Sequence, residues 1–287
     1  MVLTFVLLGM SICAVWLPAI RISEKRIAPW LILFACAVVS GLLRGYLKPV
    51  AIVELGVFAV CAHLAGNSDE KNLRRLVFSI LTLIGALALA MHLLPGFNNP
   101  IIAANVKFSE DAAMYTQYLN FDKGAVGLIL VAILCARAHA LADWGAMLRR
   151  AVPVAIATSI IVILTALLSG FVKFEFKISS YTLLFLVTNL LFTCVAEEAF
   201  FRGFVQDRLA ASLRRFHFGG ATAIACSAIL FGLSHTGGGV RYVIMATLVG
   251  LGSAYAYSIT RRIEAPIITH FCLNAVHFVW FTYPHLE

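Results

Sequence analysis

Charge is scarce in this sequence. Asp, Glu, Lys and Arg supply 13% of its 287 residues, where a soluble domain carries about 25%. With 61% hydrophobic residues, too little polar surface is left to cover a water-soluble core. The period-2 alternation of an outer-membrane barrel is missing as well. So is any basic stripe with interleaved aromatics. The net charge of +8 is spread singly or in pairs over the ends of apolar runs, which excludes nucleic acid as a partner. No C-x-x-C occurs. The cysteines Cys13, Cys36, Cys61, Cys135, Cys194, Cys226 and Cys272 all lie in apolar runs and read as small buried residues rather than disulfides or a zinc cluster. No internal repeat is visible, which argues against an inverted-repeat transporter. What is present is a series of apolar runs close to the length of a helical membrane crossing, about 20 residues. Lipid offers no partners to backbone N–H and C=O groups, so such runs must be helices. The sequence reads as an all-α, polytopic transmembrane helix bundle of about eight to ten spans.

The candidate spans are 2–20, 28–46, 49–66, 76–95, 124–142, 151–172, 181–201, 219–235, 240–260 and 266–283. The first lacks a basic start and a small-residue cleavage site and is expected to be retained. The longest polar interval, 96–123, reads as a loop over one mouth of the bundle, with an interfacial helix as the alternative. Orientation follows from basic residues. One set of loops holds Arg21, Lys25, Arg26, Lys71, Arg74, Arg75, Arg149, Arg150, Arg208, Arg214, Arg215, Arg261 and Arg262, thirteen in all. The opposite set holds seven: Arg44, Lys48, Lys107, Lys123, Lys173, Lys177 and Arg241. The first set is expected to be cytoplasmic, with the N-terminus outside.

An ionisable side chain at mid-bilayer costs about 2.5–3.5 kcal/mol on insertion scales. Three groups in the last hundred residues accept such a cost. Glu197-Glu198 and Arg202 follow the apolar run 183–196. On a helix Glu198 and Arg202 lie four apart and can form a structural ion pair. Glu197 points about 100° away and reads as the carboxylate available for general-base work. Phe231-Gly232-Leu233-Ser234-His235 closes the next run, just before three glycines. His270 and Asn274 share a face of the last run, with His277 near it. Glu54, His63 and His92 also lie in apolar runs and are read as structural. Taken singly, each group is consistent with a solvated helix end or interhelical glue. Together they supply a base, imidazoles and an amide donor, the inventory for activating water and holding an oxyanion. One geometric tension follows. A straight helix from Gly219 carries His235 about 24 Å along its axis, at 1.5 Å per residue, away from Glu197 and His270. The polar stretch 207–218 is therefore expected to be a cytoplasmic helix extension and turn.

These three groups, in this order on successive apolar runs, resemble the motifs E-E-x-x-x-R, F-x-x-x-H and H-x-x-x-N of the CAAX prenyl protease and bacteriocin-processing family of intramembrane proteases. The resemblance covers roughly residues 181–283. It divides the chain into an N-terminal transmembrane scaffold, 1–180, and a catalytic transmembrane core, 181–287. It implies that Glu197 and His235 activate water, that His270 and Asn274 polarise the scissile carbonyl, and that Glu198 and Arg202 fix helix positions. Some members of that family are called metalloproteases, which makes Glu197, His235 and His270 candidate ligands for a divalent metal such as zinc; others are argued to be glutamate proteases. The implied partners are the lipid bilayer and a membrane-associated or lipidated polypeptide. A bacterial cytoplasmic membrane is expected, since no transit-like N-terminus is seen, with the cavity open to the cytoplasm or laterally to lipid. Oligomeric state is left open. The sequence has no H-E-x-x-H and no G-x-G-D, and Ser234 as a nucleophile would leave the Glu pair unexplained. The rival readings are an ion-coupled transporter and a non-catalytic immunity or scaffold protein.

Overall fold

The computed structural model describes residues 2–22, 25–67 and 73–287. Ten helices run through them: α1 (Val2–Ala14), α2 (Pro29–Leu43), α3 (Pro49–Asn67), α4 (Leu73–Ala90), α5 (Phe121–Ile133), α6 (Leu141–Leu168), α7 (Thr182–Ser212), α8 (Gly219–Leu233), α9 (Gly239–Thr260) and α10 (Glu264–Trp280). Each expected span corresponds to one helix, and the protein is an all-α polytopic bundle. Five segments are by themselves long and apolar enough to cross a membrane: α3, α4, α6, α7, and α9 with its leading turn from Thr236. Helices α1, α2 and α8, of 13, 15 and 15 residues, reach only about 20–22 Å at 1.5 Å per residue. Val53, Val57 and Val60 on α3, Ile80, Ile84 and Leu87 on α4, and Ile156, Ile160 and Leu164 on α6 stand exposed. Their three- and four-residue spacings put them on outward stripes suited to acyl chains.

Two expectations change. The fifth span ends at Ile133 rather than at residue 142. Beyond it the backbone is claimed by the α9–α10 turn, where Ile263 N–H donates to Ala136 O at 3.0 Å and Ala138 N–H donates to Glu264 Oε1 at 2.8 Å. The interval 96–123 holds no interfacial helix. It carries β3 (Ile101–Val106) and β4 (Tyr115–Tyr118), paired as a two-stranded sheet; near the start of the chain β1 (Ile20–Ile22) pairs antiparallel with β2 (Lys25–Ile27). In addition, Lys123 and Arg241 of the minority set lie in the first turns of α5 and α9, and Arg74, Arg75, Arg149, Arg150 and Arg208 of the majority set lie in helices as well. Lys71 lies outside the described residues. The majority is unchanged. Residues 207–212 continue α7 and 213–218 turn into α8, the extension and turn that the sequence suggests.

The chain forms two compact units. The first comprises residues 1–102, 118–135 and 191–200. In it α1 packs on α2 and α5, and α3 and α4 pack on each other and on α5. Thr4 and Ser40 hydroxyls share a hydrogen bond of 2.8 Å between α1 and α2. The second comprises residues 103–117, 136–190 and 201–287. There α9 packs on α6, α8 and α10, and α6 on α10, around the small core of Met147, Ala151, Ala256 and Ala265. At the C-terminal end of α10 this unit carries a cluster of rings, Phe108, Tyr115, Tyr181, Phe185, Phe278 and Tyr283. Burial pushes the phenols of Tyr115, Tyr181 and Tyr283 up from their ordinary value, so they act as neutral hydroxyls.

Candidate active site

Helix α7 is not a regular α-helix. π-helical segments at Asn189–Cys194 and Ala199–Gln206 bracket one short α-helical stretch, Val195–Glu198. Such i→i+5 segments are rare and frequent at functional sites. The bracketed stretch contains both glutamates of the first motif.

In the first unit, Glu197 is not the uncommitted carboxylate that the sequence suggests. Lys123 Nζ on α5 donates to its Oε1 at 2.7 Å, with side-chain exposures of 21% for the lysine and 14% for the glutamate. α5 comes this close because of its glycines. A Cβ on Gly127 would stand 2.8 Å from Ala196 Cα, and one on Gly124 would stand 2.9 Å from both Leu8 and Phe192 side chains. Lys123 lies one turn before Gly127, on the same face, and so reaches the residue after Ala196. Glu198 is fully buried. Beside Lys123, Asp122 is 1% exposed and meets His92 Nδ1 at 2.7 Å and Asn99 Nδ2 at 3.0 Å. A carboxylate only accepts, so His92 donates from Nδ1. His92 has φ 58° in the turn after α4. Glu54 packs against Gly96 and His63 bonds Asn67.

In the second unit, Phe231 is the hub. The Arg202 guanidinium sits 4.5 Å from its ring centroid. His235 lies 4.8 Å from it, and His270 5.4 Å at an interplanar angle of 88°. Arg202, fully buried, also donates from Nη2 to Gly250 O at 2.9 Å. One turn on, Gln206 donates to Ala254 O at 2.9 Å. The two bonds set the register of α7 against α9. His235 does not end the α8 helix as expected; α8 stops at Leu233, and His235 occupies the turn that follows. Its Nδ1 lies 2.8 Å from Phe231 O. A carbonyl only accepts, so Nδ1 carries the proton and Nε2 is the basic nitrogen. The Ser234 hydroxyl donates to the same carbonyl at 2.7 Å.

His270 is buried on α10. Asn274, one turn on, donates from Nδ2 to Asn189 Oδ1 at 3.1 Å. His235, His270, Asn274 and His277 line one cavity of about 70 Å³, room for one or two waters. Phe231, Tyr242 and apolar side chains of α6 and α9 complete its wall. His277 meets Thr282 O at 3.1 Å. Sequence reasoning missed Lys123, Asp122, Asn189, Gln206 and Glu264. Asn189 alone carried a signal, as the one amide in the run 183–196. Among the described residues, no three His, Cys, Asp or Glu side chains are grouped so as to hold a metal ion.

Buried acids, histidines and amides inside an otherwise apolar set of helices mark an integral multi-pass membrane protein with a chemistry-bearing interior. Residues 179–276 match the family model described as type II CAAX prenyl endopeptidase Rce1-like. All three motifs fall inside the matched segment, in agreement with the resemblance read from them. This segment, about a third of the chain, is thus similar to CAAX-type prenyl endopeptidases. Comparison with curated proteins and with solved structures gives no match.

Proposed function

We propose that the protein hydrolyses a peptide bond of a lipidated, membrane-anchored polypeptide, using Glu197 and His235 to activate water. The observation that carries this reading is the cavity shared by His235 of the second motif and His270 and Asn274 of the third. Water adds its oxygen to the scissile carbonyl carbon and gives its proton to Glu197, while Nε2 of His235 accepts a hydrogen bond from the same water. His270 and Asn274 donate to the carbonyl oxygen as it becomes an oxyanion. The proton then passes to the leaving amine as the C–N bond breaks, leaving a carboxylate and a free amino terminus. Glu198 and Arg202, both fully buried, are assigned the structural ion pair. Residues 181–287 are assigned the catalytic core, and 1–180 its scaffold. The membrane is taken to be a bacterial cytoplasmic membrane with the site facing the cytoplasm, where the majority of loop arginines and lysines fall.

The test compares purified protein with Glu197→Gln on two peptides ending in a CAAX sequence, one farnesylated and one bare. Cleavage of the farnesylated peptide alone, reduced at least 10³-fold in a folded Glu197→Gln variant, is the expected result; one proton-transfer group contributes about 10²–10⁴-fold. Equal cleavage of both peptides would remove the lipid from the substrate class. Full activity in the variant would remove Glu197 from the chemistry.

A further inference from the structure

From the same geometry we infer that Lys123 of α5 is a positioning residue for Glu197, so that the region preceding the family match contributes to the active site. This inference rests on the assignment of Glu197 proposed above. The direct bond of 2.7 Å from Nζ to Oε1 restrains one carboxylate oxygen, and so narrows the directions in which the group can point. A base must point at its proton within tenths of an ångström, and a misplacement of about 1 Å costs about 10²-fold. A glutamate side chain has three rotatable bonds and loses that direction easily unless something holds it.

The surroundings are built to deliver this lysine. Gly127 and Gly124 leave no room for a side chain against Ala196 and Phe192, so α5 lies directly on the stretch around Glu197. Small residues allow this kind of close approach between membrane helices. The first turn of α5 is anchored as well: Phe121 N–H donates to Asn99 Oδ1 at 2.9 Å, and Asp122 accepts from Asn99 and from Lys123 N–H. Lys123 therefore starts from a fixed backbone. A lysine at the end of an apolar run could also snorkel to the headgroups; here it is turned inward to a partly buried carboxylate instead. The ammonium also offsets the cost of keeping that carboxylate among apolar helices.

The experiment measures kcat and KM of full-length protein on the farnesylated CAAX peptide for Lys123→Met, Lys123→Arg and Glu197→Gln, with thermal unfolding of each in detergent. Lys123→Met should lower kcat by about 10²-fold with KM within about twofold of the parent, since the lysine acts on the base and not on substrate. Lys123→Arg should recover at least a tenth of the parent kcat, because it restores a cationic donor to Glu197. If Lys123→Met gives no folded protein, Lys123→Gln, which keeps a donor and loses the charge, is measured against the same expectation. Parent-level kcat in the Met or Gln variant beside an inactive Glu197→Gln overturns this inference alone. A lowered unfolding midpoint with unchanged kcat per folded molecule also overturns it, leaving the lysine a structural partner. Activity retained in Glu197→Gln overturns the assignment of the base, and this inference with it.

Discussion

Phe231 meets a cation and two imidazoles through one ring, which gives a physical reason for a phenylalanine four residues before the histidine. Its face receives Arg202, and His235 and His270 stand around it. The aromatic quadrupole attracts a desolvated guanidinium by about 2 kcal/mol, and the ring fixes the spacing of the two imidazoles. Phe231→Leu keeps an apolar side chain and loses the quadrupole. Stability should fall by about 1–2 kcal/mol and kcat by about tenfold, read by thermal unfolding and by turnover of the farnesylated peptide. A fall in stability with kcat unchanged would leave the ring a packing role only. At this scale the sequence exposed much of the candidate site. Glu197, His235, His270 and Asn274 stand out because ionisable and amide groups are costly in apolar runs. Lys123 did not, since a lysine at the end of a run looks the same whether it faces headgroups or a buried carboxylate. Only the approach of α5 to α7 distinguishes them. Asp122 was missed for the same reason, its partners His92 and Asn99 being 30 and 23 residues away.

At the scale of elements, positions set by one or two residues decide what comes together. α8 and α9 pack closely enough that a Cβ on Gly232 would stand 1.9 Å from Thr247 Oγ1 and 3.0 Å from Val243 O. Neither neighbour is the end of a long flexible side chain, so one helix has to move. Gly232→Ala should destabilise by about 1–3 kcal/mol, as overpacking does, and should lower kcat by displacing the adjacent Phe231. Gly220→Ala is the matched control. It lies on the same helix with nothing within 4 Å of its Cβ position, and alanine there should be neutral or stabilising by up to about 1 kcal/mol. Unfolding midpoints of the two variants, compared in one detergent, separate close approach from helix propensity. The existence of all ten helices was legible from apolar runs, yet several ends were not. Hydropathy continues through residues 134–138, but the backbone there is drawn to Ile263 and Glu264. The π-helical segments of α7 were equally invisible, because a change from i→i+4 to i→i+5 pairing leaves no mark in composition.

For the whole molecule, the assignment of catalysis to residues 181–287 meets a chain that folds across that boundary. Residues 136–180 belong to the same compact unit as α8, α9 and α10. Val162, Ile163, Ala166, Phe171 and Val172 form part of the wall of the cavity that His235, His270 and Asn274 line. A fragment beginning at residue 181 would expose that cavity along one side and strip α9 and α10 of their contacts with α6. It would also separate Glu197 from Lys123. The fragment, expressed alone in membranes, should be cleaved by added protease faster than the intact chain and should show no turnover of the farnesylated peptide. Supplying residues 1–180 as a second polypeptide should restore some of both, because membrane helices inserted separately can still associate by side-chain packing. Full activity of residues 181–287 alone would mean that the last third holds its site without α6, and that the apolar wall contributed by α6 is dispensable. Rescue by residues 1–180 carrying Lys123→Met, to the level reached with the parent sequence, would separate the two contributions. The cavity wall would then be necessary and the lysine would not.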